Sequence, residues 1–447
     1  MRRKNFDPHD ALLPTSLIRP IRVEGTDQHL DLQTRVLPNG LTIATVRLPA
    51  FRTLAIGAFV RAGVRDEPSR RNGLSHVLEH MAFKGTETRD ARALSVATER
   101  VGASVNAYTT KDHTVYHADA LAGAEPIVLD ALADVIRRPV FPQDELDRER
   151  GVILQEIDEA ADDPESLAQD AFDDVAFPRQ SIGRPILGSR RHVKAVSRDD
   201  LIAYHGAHYC AENLVIVGAG QLSHDRFADE VALRFADLGR GTRSARATAR
   251  YVGGQRHVDQ DFDQTSVMLG WPAPGLSDPA YATFELLADL LGAGASSPLF
   301  QSVRERHGLA YRIDAWIDGY EDCSTVQVAA GVGPRSLNAF FDRVCETLRE
   351  LCRRIDTEEI ERTHNQRIML LAHRHERPMD LVEAVARDLV VHGRVSTPEE
   401  QITTARAIDS DALMDALQTL IATPPTLALV GRTVRGDPLA AIQRRLG

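Results

Sequence analysis

GLSHVLEHMAFKG, residues 73–85, places His76, Glu79 and His80 within five positions of a stretch that otherwise has the pattern of a buried helix. Leu74, Val77, Leu78 and Met81 fall at i, i+3, i+4 and i+7, the apolar stripe of a core-facing helix. Asn72 is the expected N-cap and Gly85 the expected C-terminal stop. On that helix His76 and His80 project from one side, a turn apart, with Glu79 alongside them. Two neutral imidazoles so placed suit Zn²⁺, which takes nitrogen, sulfur or carboxylate ligands and keeps one position for water in a catalytic site. Glu79 is then the expected base towards that water, whose pKa the metal lowers towards ~7. A histidine pair at helical spacing also occurs on ordinary helix surfaces. The glutamate beside the second histidine makes the pattern more specific, and a third ligand is still required.

At 447 residues the chain is too long for one ordinary core. Its 43% hydrophobic and 26% charged content is that of a soluble globular protein. No apolar run approaches the ~20 residues of a membrane span. The opening MRRKNFDPHDALLPTSLIRP has a basic start but no apolar core, unlike a secretory signal or transit peptide, so a cytoplasmic location is expected. Cys210, Cys323, Cys345 and Cys352 form no C-x-x-C pair and are read as buried or free thiols. The net charge of -11 argues against nucleic-acid binding and favours cationic partners.

Strand-like runs at 41–48 and 54–63 precede the histidine helix. A helical pattern at 91–102, a strand-like stretch at 103–120, and helical patterns near 122–138 and 142–163 follow it. Strands followed by runs of helices indicate an α+β layer rather than a doubly wound parallel sheet. LGRGTRSARATAR, residues 238–250, has little apolar periodicity and reads as a linker between an N-terminal domain (1–237) and a C-terminal one (251–447). The second half looks like a weak copy of the first: TSVMLGW (265–271) plays the second strand, and ELLADLLGAG (285–294) lies on HVLEHMAFKG (76–85) without a gap. Glu285, Ala288 and Asp289 then occupy the places of His76, Glu79 and His80, so only the first half keeps the ligand set. The best source of a third ligand is ELDRERGVILQEIDEAADD (145–163), where Glu149 and Glu156 share one helix face two turns apart.

Together these residues resemble the inverted zincins of the pitrilysin (M16) group, and especially the mitochondrial processing peptidase β-subunit and its bacterial relatives. In that group a ligand glutamate follows the second histidine by about 76 residues, with another acidic residue seven earlier; the resemblance therefore implies Glu156 as third zinc ligand, one zinc per chain, and Glu149 as a carboxylate orienting a ligand histidine. It further implies two homologous α/β halves, each a mostly antiparallel sheet covered by helices, forming half of a clam-shaped dimer. NAYTTKDHTVYH (106–117) resembles the edge strand that pairs with an extended peptide, making Asn106 and Ala107 substrate-binding. VRERHGLAY (303–311) resembles the element in which Arg304 and Tyr311 bind substrate and steady the oxyanion, here for the partner chain. GRPILG (183–188) also has the family's look.

Departures accompany the match. Pro298 stands where relatives have Arg after the paired serines, and Ser166 and Asp170 stand where processing peptidases place two acidic residues that read a substrate arginine. Only Asp170 keeps that charge. The implied activity is zinc-dependent hydrolysis of peptides, basic ones among them, or of unfolded segments, by a homodimer or a heterodimer with a related subunit. The alternatives are a scaffold resembling the core proteins of respiratory complex III, against which the complete ligand set counts, and a zinc hydrolase of another type.

Overall fold

The computed structural model describes residues 30–432 and 436–447; the N-terminal segment read above for targeting signals lies outside them. The first half runs β1 (Leu32–Val36), β2 (Thr42–Arg47), β3 (Thr53–Val60), α1 (Leu74–Ala82), α2 (Ala91–Glu99), β4 (Ser104–Thr109), β5 (Thr114–Leu121), α3 (Glu125–Arg137), α4 (Gln143–Asp162), α5 (Pro164–Ala176), α6 (Arg190–Ala195), α7 (Arg198–His208), β6 (Leu214–Gly220) and α8 (His224–Phe235). The second runs β7 (Gly254–Asp259), β8 (Thr265–Ala273), α9 (Tyr281–Gly292), β9 (Ala310–Gly319), β10 (Ser324–Val332), α10 (Leu337–Leu351), α11 (Thr357–Glu376), α12 (Pro378–His392), α13 (Pro398–Ala407), α14 (Ser410–Ala422), β11 (Thr426–Gly431) and α15 (Pro438–Leu446).

The sheets repeat one another. The first has the order β1-β2-β6-β3-β5-β4 and the second β7-β11-β8-β10-β9, so that without β1 the two orders coincide strand for strand. In each, one pair is parallel (β2 with β6, β7 with β11) and the rest are antiparallel. The strand-like stretch 103–120 is a hairpin. Thr110 Oγ1 accepts from the backbone N–H of Asp112 and His113 and folds the chain back between β4 and β5.

The strands read as continuous apolar runs because both faces of each sheet are covered. On one face of the first sheet, Ile43, Ile56 and Ile216 pack with Leu78 and Met81 of α1 and the apolar side of α3. On the other, Ala44, Val46, Phe59, Val215 and Val217 pack against Leu381, Val382, Val385 and Ala386 of α12, a helix from the second half. The exchange is reciprocal: Ala168, Ala171, Phe172 and Ala176 of α5 pack with Met268, Ala428 and Val430 of the second sheet. Each buried Val or Leu contributes about 1.5–3 kcal/mol, so the crossed helices tie the halves together.

A glycine in each central strand admits the crossing helix. A Cβ on Gly57 would lie 2.6 Å from the Phe59 ring and 2.7 Å from Val382, and one on Gly270 would lie 2.8 Å from Phe172. Gly57→Val is therefore expected to destabilise the protein by about 1–3 kcal/mol in denaturant melts; an unchanged midpoint would mean that α12 does not press on this face.

Residues 239–253 form neither helix nor strand, but their charges are pinned. Arg246 bonds Asp66 (2.7 Å) and Asp112 (3.2 Å) of the first half, Ala249 N donates to Asp322 of the second (2.8 Å), and Arg65 bridges Asp112 (3.1 Å) and Asp322 (2.8 Å). The four cysteines are free thiols. No helix among the described residues is long and apolar enough to cross a membrane.

Candidate metal centre

The start of α1 differs from the sequence expectation. The N-cap is Gly73, held at φ +94°, and not Asn72. The orphan N–H groups of the first turn are met instead from outside the helix by Glu67, whose carboxylate accepts from Gly73 N (2.9 Å), Ser75 N (2.8 Å), the Ser75 hydroxyl and Asn72 Nδ2 (3.0 Å). A remote acid doing the work of a local cap leaves no signature in the helix's own sequence. At the other end the helix closes on Phe83, and Gly85 lies beyond it.

The 183–188 segment packs on this end of α1. Arg184 donates to the Glu67 carbonyl (2.9 Å) and Asn72 Nδ2 to the Pro185 carbonyl (3.0 Å). A Cβ on Gly188 would meet Asn72 O at 2.3 Å, so glycine is required for the approach. Burial raises the Glu67 carboxyl pKa, and its hydrogen bonds from Ser75, Asn72 and Gly73 oppose the rise.

α4 crosses α1 and delivers both its glutamates. His80 Nδ1 donates to Glu149 Oε2 at 3.1 Å, since the carboxylate can only accept, which leaves Nε2 for another partner. Glu149 Oε1 is held by Lys84 Nζ at 2.6 Å. Burial pushes Glu149 up, but the hydrogen bonds from Lys84 and His80 outweigh it and hold the carboxyl below its usual range. Glu156 Oε2 faces the free edges of both imidazoles, 3.8 Å from His76 Nε2 and 3.6 Å from His80 Nε2. One ligand atom from each of His76, His80 and Glu156 lies within 4.8 Å of the others.

Two observations test whether a divalent metal fits among them. Glu156 Oε2 is a buried acceptor without a hydrogen-bond partner. Burial, then the charge of His80, lowers His76 to about 3, so its ring is a neutral donor at physiological pH. A His₂Glu set with a neutral His76 ring, a free Nε2 on His80, one open carboxylate oxygen and Glu149 behind it fits Zn²⁺, and would also accept Mn²⁺ or Co²⁺.

Glu79 sits beside this set rather than in it. Its Oε2 accepts from Thr109 Oγ1 at 2.7 Å, and burial raises its pKa. Thr109 belongs to β4, the free edge of the first sheet. On the same strand Asn106 is exposed, and its Oδ1 accepts from Ala107 N at 2.9 Å. Asp170, on α5, lines the cavity between the halves, where burial lifts its pKa to about 6. Ser166 is taken up in capping α5 through Asp163. Arg304 and Tyr311 are not brought to the histidines within the chain: the guanidinium lies 4.6 Å from the Phe300 ring and 4.7 Å from that of Tyr311, which is 79% exposed.

The second-half counterpart is filled by a guanidinium. Arg367 of α11 bridges Glu285 (3.1 Å) and Asp289 (2.6 Å) of α9, with Ala288 buried beside them. Lys84, Thr109, Glu67 and Arg367 were not singled out from the sequence. Lys84, just beyond the end of α1, reaches Glu149 of α4, and the other three likewise act across elements, so none of the four carries a local signal.

Residues 42–190 match the family described as Insulinase (Peptidase family M16), and residues 195–367 match the Peptidase M16 inactive domain. An "Uncharacterized zinc protease" of Rickettsia bellii is 32% identical over 397 residues, covering 88% of this chain and 96% of that protein. The chain belongs to peptidase family M16. Another M16 relative with the same printed name, from Mycobacterium leprae, is 37% identical over 318 residues, 70% of this chain and 72% of its own. The M16 fold recurs in two solved structures that are each 19% identical with a TM-score of 0.83. One, from Pseudomonas fluorescens and titled a peptidase M16 inactive domain, covers 92% of this chain and 100% of its own; the other, a Helicobacter pylori protease, covers 90% and 99%.

Proposed function

We propose that this M16 chain is a zinc-dependent endopeptidase acting on peptides or unfolded segments, with His76, His80 and Glu156 holding one zinc. The convergence of those three ligand atoms within 4.8 Å, with Glu79 beside them, carries the reading. The relatives' printed name, zinc protease, supports it. When bound, zinc would supply Lewis acidity, making a water more acidic and the scissile carbonyl more electrophilic.

The chain's own residues do the rest. Glu149 fixes the His80 ring through Nδ1, and Lys84 keeps Glu149 ionised for that task. Glu79 is steadied through one oxygen by Thr109, which leaves the other to take a proton from the attacking water and deliver it to the leaving amine. β4 ends its sheet, so an extended substrate can add as a further strand, and the amide of Asn106 would have to release Ala107 N to admit it. Replacing Glu156 with Gln is expected to lower zinc affinity at least about a hundredfold in a competitive titration; unchanged affinity would remove Glu156 from the ligand set.

The exposed Tyr311, stacked under Arg304 and without a hydrogen bond to the histidine site, supports an assembly in which this pair serves the site of a second chain. Sedimentation is expected to give a dimer, and a fully active monomer would contradict that assembly.

A further inference from the structure

Between the halves lies a cavity of about 930 Å³, adjoined by one of about 280 Å³ at the second-half counterpart of the metal site. Leu276, Gly319, Arg367 and Arg387 line both. The larger cavity starts next to the candidate metal centre: Thr110 and Lys111 directly follow Thr109, the residue that holds Glu79, and Ala160 is one helical turn past Glu156.

Its far wall is built by one face each of α11 and α12. Arg367, Leu370 and Arg374 fall at i, i+3 and i+7 of the first, and Ala384, Arg387 and Val391 at the same spacing of the second. Arg367 is neutralised by Glu285 and Asp289, so it is an anchor. Arg374, half-buried, and Arg387, exposed, form no ion pair with any carboxylate among the described residues. Burial, then the neighbouring charge of Arg387, weakens the hold of Arg374 on its proton, and Glu285 and Asp388 offset this only in part. The facing wall is acidic, with Asp170, Asp173 and Asp318 around Lys111. On the wall built by α11 and α12, Arg377 pairs with Asp380 (3.8 Å) and Glu383 accepts from Tyr108, so among the described residues Arg374 and Arg387 are the cavity-lining guanidiniums without an ion pair.

We infer that Arg374 and Arg387 form a subsite for a carboxylate of the peptide substrate, its C-terminus or an acidic side chain, bound while the chain lies along β4. The guanidinium fork suits a carboxylate, which it can meet through two parallel hydrogen bonds. This rests on the peptidase reading above, and it places the acceptor of the peptide's negative charge on the half that lacks the ligand set.

The test measures binding apart from turnover. Fluorescence anisotropy would compare three dye-labelled peptides of otherwise neutral sequence on the full-length Glu79→Gln protein: a free C-terminal acid, its C-terminal amide, and an amide with one internal glutamate. At least one carboxylate peptide should bind about tenfold more tightly than the plain amide, the size of one charge-assisted contact, and which one does so identifies the source of the carboxylate. Adding Arg374→Gln or Arg387→Gln should collapse that ratio towards one, and Arg374→Lys should restore part of it. Equal binding of all three peptides, no binding at all, or a ratio that survives both substitutions would overturn the subsite. Cleavage of acid and amide alike by the unsubstituted protein would still leave the peptidase reading standing. Failure to cleave any of them, with the binding preference intact, would sink that reading and keep the subsite.

Discussion

Glu79→Gln is expected to reduce kcat/KM on quenched-fluorescence peptides by about 10²–10⁴-fold, the usual contribution of a positioned acid–base group, while zinc stays at one per chain. The substitution is nearly isosteric. A glutamine oxygen can still accept from Thr109 Oγ1, so the side chain keeps its place and loses only the ability to take a proton. Because Glu79 is not among the three converging ligand atoms, metal binding should be indifferent to the change. A variant that loses zinc together with activity would show instead that Glu79 shapes the ligand set.

The second large effect is expected at a residue remote from the chemistry. Glu67→Ala removes one carboxylate and strands three donors, the backbone N–H of Gly73 and Ser75 and the Ser75 hydroxyl, in a region closed to water, while Asn72 Nδ2 keeps the Pro185 carbonyl. A buried donor left unsatisfied costs about 1–3 kcal/mol, so even with partial relaxation a loss of about 3–5 kcal/mol is expected in denaturant melts. α1 begins at these donors and carries His76 one residue after Ser75, so zinc affinity should fall as well. Glu67→Gln keeps one of the two accepting oxygens and turns an NH2 towards the donors of the other, so it should recover only part of both. A Glu67→Ala protein with unchanged stability would mean that the first turn of α1 finds its partners elsewhere.

What the sequence disclosed and what it withheld follow from the reach of each interaction. The histidine helix was legible because its apolar stripe and its polar trio are both written in one 3.6-residue period. The relation between Glu149 and Glu156 was legible for the same reason, since both lie on one face of α4. The repeat of the second half showed in one strand and one helix, and the matching strand orders extend it to the whole sheet. The exchange of α5 and α12 between the halves was not legible: an amphipathic helix states that it has a buried face, not which sheet buries it. The capping of α1 by Glu67 was misassigned to Asn72 because a neighbouring Asn is the ordinary local solution. Here the acceptor sits six residues before the N-cap and is positioned by tertiary contact with the 183–188 segment. Arg367 was silent for a related reason. It lies on α11, and its meaning appears only where α11 meets Glu285 and Asp289 on α9.

The most direct test of a metal-dependent peptidase built on His76, His80 and Glu156 is reconstitution. Protein stripped of metal by chelation would be titrated with zinc while cleavage of a quenched-fluorescence peptide is followed. Activity should be absent at the start, rise linearly with added zinc and level off at one equivalent per chain, and His80→Ala protein should show no such rise. Full cleavage by the stripped protein, or stoichiometric zinc binding that restores no cleavage of any peptide offered, would contradict the account.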